Sequence, residues 1–437
     1  MMRWITGMSL VMATLMVAAP TRAGSGRENR ITADKAGQFS TSAGLRLRVA
    51  TDQGDIRILA GSASQVSYRA HLETNAGDAN AQQILNAFVL EARSDSDGVV
   101  LVGRSPQVGW GRHLWVTLEV TVPHNYNLDL STHGGNIQIA DVQGRVVAQT
   151  AGGNISAGEI DGPARLVTDG GHIFVKNVGG DLTAETGGGD ITAGVVAGGA
   201  ILRTGGGHIR VASIAGAARL DTGGGNISLE RAGAGLEVST GGGEIEVGEA
   251  SGLIRARTGG GGIRVVRSSG PTELSTTAGS VYLMQVQNAV RAATGAGGIT
   301  AWFGPDAKLT SPCRLAAGEG DINVYIPKRL AVTVDARVEL GGNHRVVVDP
   351  AFPLKVTYGE PGEGSQVVRA EGPLNGGGAT LVLRTVSGNI RLMLNDTARE
   401  QQQMDRLKRQ MEQMRRQLEM QLMKMQIPLP SQAPEQP

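Results

Sequence analysis

The chain has 437 residues, a formal net charge of +1 and one cysteine, Cys313. A charge so near neutrality gives no electrostatic reason to expect a nucleic-acid partner. A lone cysteine excludes an intramolecular disulfide, so stability has to come from backbone ladders and apolar packing.

Taken in order, residues 1–23 read as a secretory signal peptide. Arg3 supplies the basic start, Trp4 to Pro20 is apolar, and Thr21-Arg22-Ala23 offers a small-residue cleavage site. No cysteine follows the cut, which argues against lipid attachment of the bacterial lipoprotein kind.

Residues 24–131 are expected to form an N-terminal cap and the first solenoid strands. Thr51-Asp-Gln-Gly54-Asp-Ile56-Arg-Ile58 is an early turn-and-strand unit, and Asp78 to Leu90 predicts a short helix with Ile84, Leu85 and Phe88 on one side. Alternating strands follow at Val99–Val102 and Leu114–Val122. A cap here would shield the open edge of the first coil.

Residues 132–302 repeat every 18 residues. Thr132, Thr150, Thr168, Thr186, Thr204, Thr222, Thr240, Thr258, Thr276 and Thr294 mark the period. Each begins a glycine-rich turn that ends in an aliphatic residue, as in Thr222-Gly-Gly-Gly-Asn-Ile227. With the threonine as position 0, positions 5 and 7 are apolar, and so are positions 14 and 16. That spacing of two predicts two half-buried strands per repeat. Position 12 is usually glycine (Gly144, Gly162, Gly180, Gly198, Gly216), expected to supply positive φ angles at a corner. A fixed short period is the mark of a solenoid, because one coil buries its apolar side only against its neighbours. The expected fold is therefore an all-β, single-chain parallel β-solenoid of short 18-residue coils, right-handed by the crossover rule.

Position 15 runs Arg219, Glu237, Arg255, Glu273, Arg291. Stacked in one column, opposite charges face each other and reinforce the register.

Residues 303–394 predict irregular C-terminal solenoid coils, with the turn returning at Gly320-Asp-Ile322 and Gly388-Asn-Ile390. Residues 395–437 predict an amphipathic helix and a disordered tail. Thr397 and Glu400 fit a capping box, and Met404, Leu407, Met411, Met414 and Leu418 fall at coiled-coil spacing. An exposed seam of this kind is rare in a soluble monomer, so the helix is expected to associate with copies of itself, ahead of folding back as a cap or touching a membrane surface weakly.

Val122-Pro123 before Leu128-Asp-Leu-Ser-Thr-His-Gly-Gly135-Asn-Ile137, the recurring Gly-Asn-Ile and Gly-Asp-Ile turns, and Thr385-Val-Ser-Gly-Asn-Ile-Arg-Leu392 resemble the bacterial putative-adhesin family of β-strand repeat proteins, over roughly residues 40–394. The resemblance implies an extracytoplasmic protein with no catalytic residues to carry over. The resulting expectation is a non-enzymatic, adhesin-like binding or scaffold module, periplasmic, outer-surface or secreted, whose partner is an envelope or extracellular protein or glycan. A polysaccharide-active β-helix lyase or hydrolase is the alternative, but the regular coils have no insertions to wall a cleft.

The turns suggest three kinds of chemistry. Calcium β-rolls need an aspartate in every half-turn, and the position after the glycines holds only Asp190 among Asn136, Asn154, His172, His208, Asn226 and Glu244. His172, Asp190 and His208 follow one another in that column and could ligate a transition metal, whereas a solvated polar corner needs only hydrophilic residues. The threonine column suggests ice binding, but it shares parity with buried positions, so its hydroxyls should satisfy turn backbone. No cofactor or metal is expected.

Overall fold

The structure is a computed structural model. It describes residues 15–16, 30–61, 64–75, 80–105, 114–340, 343–359 and 367–395, and ten positions between Gln402 and Met420. The proposed signal peptide, apart from Leu15 and Met16, and the seam residues Met404, Leu407, Met411, Met414 and Leu418 lie outside the described residues. The described chain falls into two compact units, within residues 1–188 and 189–424, a division inside the run of regular repeats.

Both units are built the same way. Each repeat gives one strand after its glycine turn and one before the next threonine, and strands of each kind pair in parallel into two sheets, here A and B. In the first unit, sheet A pairs Ile137 with Ile155 and Ile155 with Ile173, while sheet B pairs Thr132 with Thr150 and Thr150 with Thr168. In the second, Ile209 pairs with Ile227, Ile227 with Ile245 and Ile245 with Ile263. Every partner is one sequence period away, so each apolar position stacks on its own equivalent. Ile155, Ile173, Ile209, Ile227 and Ile245 are all at most 1% exposed. The core is thus a set of aliphatic columns between two sheets.

The first unit departs from chain order. Arg46–Thr51 pairs with Gly98–Arg104 on one side and Asn127–Thr132 on the other. Its companion Asp55–Gly61 lies between Leu114–Pro123 and Ile137–Ile139. The early Gly54-Asp-Ile56 turn is therefore a full member of the stack, inserted inside a later coil. Beyond it, Gln65–Asn75 runs antiparallel to Leu114–Pro123, and Arg30–Ser40 antiparallel to Gln65–Asn75. On sheet B, Val89–Asp95 closes antiparallel on Gly98–Arg104. These antiparallel strands occupy the edge that the first parallel coil would otherwise leave open. The expected helix is Ala81–Ala87, with Ile84, Leu85 and the adjoining Phe88 buried; Lys35 Nζ donates to the Phe88 carbonyl.

The second unit repeats the device at its far end. Thr380–Ser387 lies between Cys313–Glu319 and Val332–Val338, and Ile390–Leu394 between Ile322–Ile326 and Val346–Val348. The last coil in sequence is not the last in the stack. Val368–Leu374 and then Lys355–Tyr358 continue sheet B antiparallel. The described positions between Gln402 and Met420 are helical and exposed.

The corner glycines differ from the sequence expectation. Gly144, Gly162, Gly180 and Gly216 do not have left-handed φ angles. They are glycine because a Cβ would strike the neighbouring coil: 2.1 Å from the Tyr126 carbonyl oxygen at Gly144, and 2.6 Å from that of Gly144 at Gly162. Close backbone approach, not turn conformation, selects the residue there.

Candidate functional site

Among the described residues the inward positions of the coils are filled by side chains, which leaves the turns and the outward faces for chemistry. The turns hold the candidate metal column.

The repeat threonines are between 1 and 7% exposed from Thr132 to Thr294. Each donates its hydroxyl to a glycine carbonyl of the preceding coil, Thr222 to Gly207 and Thr240 to Gly225, both at 2.8 Å. The same oxygen accepts a backbone N–H from its own turn, from Gly225 at 3.2 Å and Gly243 at 3.1 Å. The hydroxyl is spent on backbone at both ends, and burial leaves no face for a lattice of water.

The column after the glycines is a second ladder. Asp55 Oδ1 accepts the Asn136 N–H, Asn136 Oδ1 that of Asn154, and Asn154 Oδ1 that of His172. In the second unit, Asp190 Oδ1 accepts the His208 N–H, His208 Nδ1 that of Asn226, and Asn226 Oδ1 that of Glu244. Asn, Asp and His share an acceptor at the same short reach from the backbone, which is why they interchange here. Accepting at Nδ1 places the His208 proton on Nε2. Burial pushes the Asp190 carboxyl up, but the His208 N–H and Arg210, whose Nη1 is 3.1 Å from Oδ2, hold it below the ordinary range. His172 lies in the first unit and Asp190 and His208 in the second. Among the described residues no three His, Cys, Asp or Glu side chains are grouped to hold a metal. Asp321 repeats the Asp190 arrangement, with the Asn389 N–H and Arg391 outweighing burial.

On the outward side of sheet B in the second unit, the expected charge ladder forms in pairs. Arg219 Nη1 lies 2.9 Å from Glu237, and Arg255 Nε 3.1 Å from Glu273. Arg203 and Arg219 share Asp221 at 3.7 and 2.8 Å. The column then continues to Arg291, which pairs in register with Arg314. Sequence reasoning missed Arg314, because residues inserted after Trp302 shift it out of the 18-residue period.

The outward side of sheet A in the same unit carries apolar residues. Val266 is 5% and Met284 3% exposed although both point away from the core, and Trp302 packs against them. Trp302 stacks on Tyr325 with centroids 4.5 Å apart. Nearby, Arg264 Nη1 donates to Gln410 Oε1 at 3.0 Å, and Glu246 shares a groove with Arg264, Tyr282, Gln413 and Gln417. Burial raises the Glu246 carboxyl, partly opposed by Arg264 and reinforced by Glu244. Cys313 is buried, its thiol pushed up by burial, and its Sγ accepts the Val290 N–H at 3.4 Å.

Residues 45–258 match the family described as Toastrack DUF4097. The resemblance seen in the Gly-Asn-Ile and Gly-Asp-Ile turns is thereby borne out. The Toastrack match ends at Thr258, yet Thr258 pairs with Thr276, and Thr276 with Thr294, in unbroken register. Two solved structures are also similar. One is described as a putative cell adhesion protein from Clostridium sporogenes ATCC 15579, 9% identical, covering 83% of this chain and 100% of that one, at TM-score 0.15. The other is described as a putative adhesin from Bacteroides fragilis NCTC 9343, 13% identical, covering 63% of this chain and 98% of that one, at TM-score 0.25. No curated protein matches the chain.

Proposed function

We propose that the protein is a non-enzymatic, adhesin-like binding or scaffold module of a bacterial envelope or cell surface, built of right-handed 18-residue coils. The observation that supports this reading best is where the polar groups are used. Threonine, Asn, Asp and His side chains of the turns, such as Thr222, Asn226, Asp190 and His208, are bonded to backbone of neighbouring coils. What remains are outward columns on flat strands, which suit recognition of a partner more than enclosure of a reacting bond. Residues 1–23 direct export, and N-terminal sequencing of the envelope fraction would show whether the mature chain begins after Ala23. Glycan-array binding and pull-down from envelope extract test the binding role. Release of reducing ends from a polysaccharide would replace it with the lyase or hydrolase alternative.

The terminal helix belongs to this module as a strap on sheet A of the second unit. The Arg264–Gln410 hydrogen bond and the burial of outward-pointing Val266 and Met284 support placing the apolar seam against this face ahead of a seam between two chains.

A further inference from the structure

The outward face of sheet B in the second unit carries an unneutralised pair of cations. Arg291 and Arg314 sit side by side on adjacent parallel strands, about 4.8 Å apart in the strand-stacking direction. Like charges directly opposite each other destabilise a sheet. In the coils that precede them on this face each arginine has an acid: Asp221 for Arg203, Glu237 for Arg219 and Arg257, Glu273 for Arg255. Glu273 precedes Arg291 in the ladder but is taken by Arg255, and the residue beyond Arg314 is Val382. Among the described residues neither Arg291 nor Arg314 makes an ion pair or a side-chain hydrogen bond. The alternation that neutralises the preceding coils therefore stops at these two.

The pair also has a floor. Arg257, Glu273, Ser275, Arg291, Ala293 and Arg314 line a shallow groove of about 270 Å³. Ser275, Ala293 and Ala316 occupy successive coils in one register, so the bottom is low and runs along the stack. Arginine forks on one side, repeating at a coil's rise, suit acid groups spaced along an extended chain. None of the lining residues is aromatic, which removes the stacking that single-stranded nucleic acid needs.

We propose that this groove binds a linear anionic polysaccharide, with Arg291 and Arg314 taking its carboxylate or sulfate groups and Arg257 flanking them. The proposal rests on the adhesin-like reading above and names its ligand class. Full-length mature protein would be titrated with polygalacturonate, with dextran sulfate and with neutral dextran of matched length, at two salt concentrations. Binding of one or both charged polymers and not of dextran is expected, and the stronger polymer identifies the acid group. Arg291→Ser with Arg314→Ser should weaken it by about tenfold or more, while Arg203→Ser, on the same face but outside the groove, should leave it unchanged. An unchanged affinity in the double variant overturns the proposal, as does binding confined to phosphatidylglycerol vesicles. Binding to neutral glycans or an envelope protein alone overturns the groove and leaves the adhesin-like reading standing. Absence of binding to any glycan or envelope component overturns both.

Discussion

At the scale of single residues, the three positions of each glycine-rich turn are not equivalent. A Cβ on the third would stand 1.9 Å from the Gly207 carbonyl oxygen at Gly225 and 2.0 Å from that of Gly225 at Gly243. The middle glycine, Gly224 or Gly242, would meet nothing within 4 Å. The sequence follows this division: the third position is glycine at Gly261 and Gly279, whereas the middle one is alanine at Ala278. Gly225→Ala should therefore cost about 2–4 kcal/mol, and Gly224→Ala should stay within about 0.5 kcal/mol of the parent. Denaturant midpoints of the two variants would check this, and equal losses would contradict it. A second residue-scale expectation concerns Glu246. Burial raises its folded-state carboxyl above the ordinary 4.5, so it disfavours the folded state once ionised. The native form binds the proton more tightly than the unfolded chain, and stability falls as pH rises from below that ordinary value through the raised one. Glu246→Gln should raise the melting temperature at pH 7, with the gain fading below about pH 4.5. A gain that persists unchanged in acid would mean that the carboxylate charge is not its cause.

At the scale of the element, the unit of construction is the turn with its two strands, and this is what the sequence displayed most fully. Threonine, third glycine and position-5 isoleucine recur with a period that the observed register obeys from Thr204 to Thr294. Chain order at the ends was not legible, for a physical reason. Strand pairing is decided by which edge is free and whether the turn geometry matches, so Gly54-Asp-Ile56 and Gly388-Asn-Ile390 can enter the stack away from their neighbours in sequence. Their motif announces a coil without announcing its place. The polar column after the glycines was legible as a column but not in its role. Its Asn, Asp and His content looks like a ligand set until the N–H donors of the next coil are seen beside it. Arg314 was hidden because Ile299 pairs with Ile322, a longer step than the period. If the coil is the unit, deleting residues 223–240 joins Thr222 to Gly241 in phase and should keep the β-sheet circular dichroism with a modest loss of stability. Deleting only 223–231 joins Thr222 to the Ala232–Gly235 corner, leaves half a coil and would send every later strand to the opposite sheet, and should abolish folding. Similar behaviour of the two deletions would show that the coil is not the cooperative unit.

For the whole molecule, the question is what covers its outward apolar residues. With Cys313 buried and alone, no disulfide shares the work, and the described helical positions between Gln402 and Met420 are exposed polar residues apart from Met420. Val266 and Met284, on strands whose inward neighbours Val265 and Leu283 already fill the core, need cover of their own. A helix held beside them through Gln410 and Arg264 would supply it from the same chain. The seam carries unbranched Met404, Met411 and Met414 among its leucines, and methionine adapts to an irregular surface better than it specifies a coiled-coil partner. The wild-type protein should therefore sediment as a monomer at micromolar concentration. Leu407→Lys with Met414→Lys should remain monomeric, gain binding of an apolar dye and melt at lower temperature, because Val266 and Met284 lose their cover. Truncation before Thr397 should reproduce the dye binding. A wild-type dimer that the double variant converts to monomer, with no new dye binding, would instead place the seam between two chains.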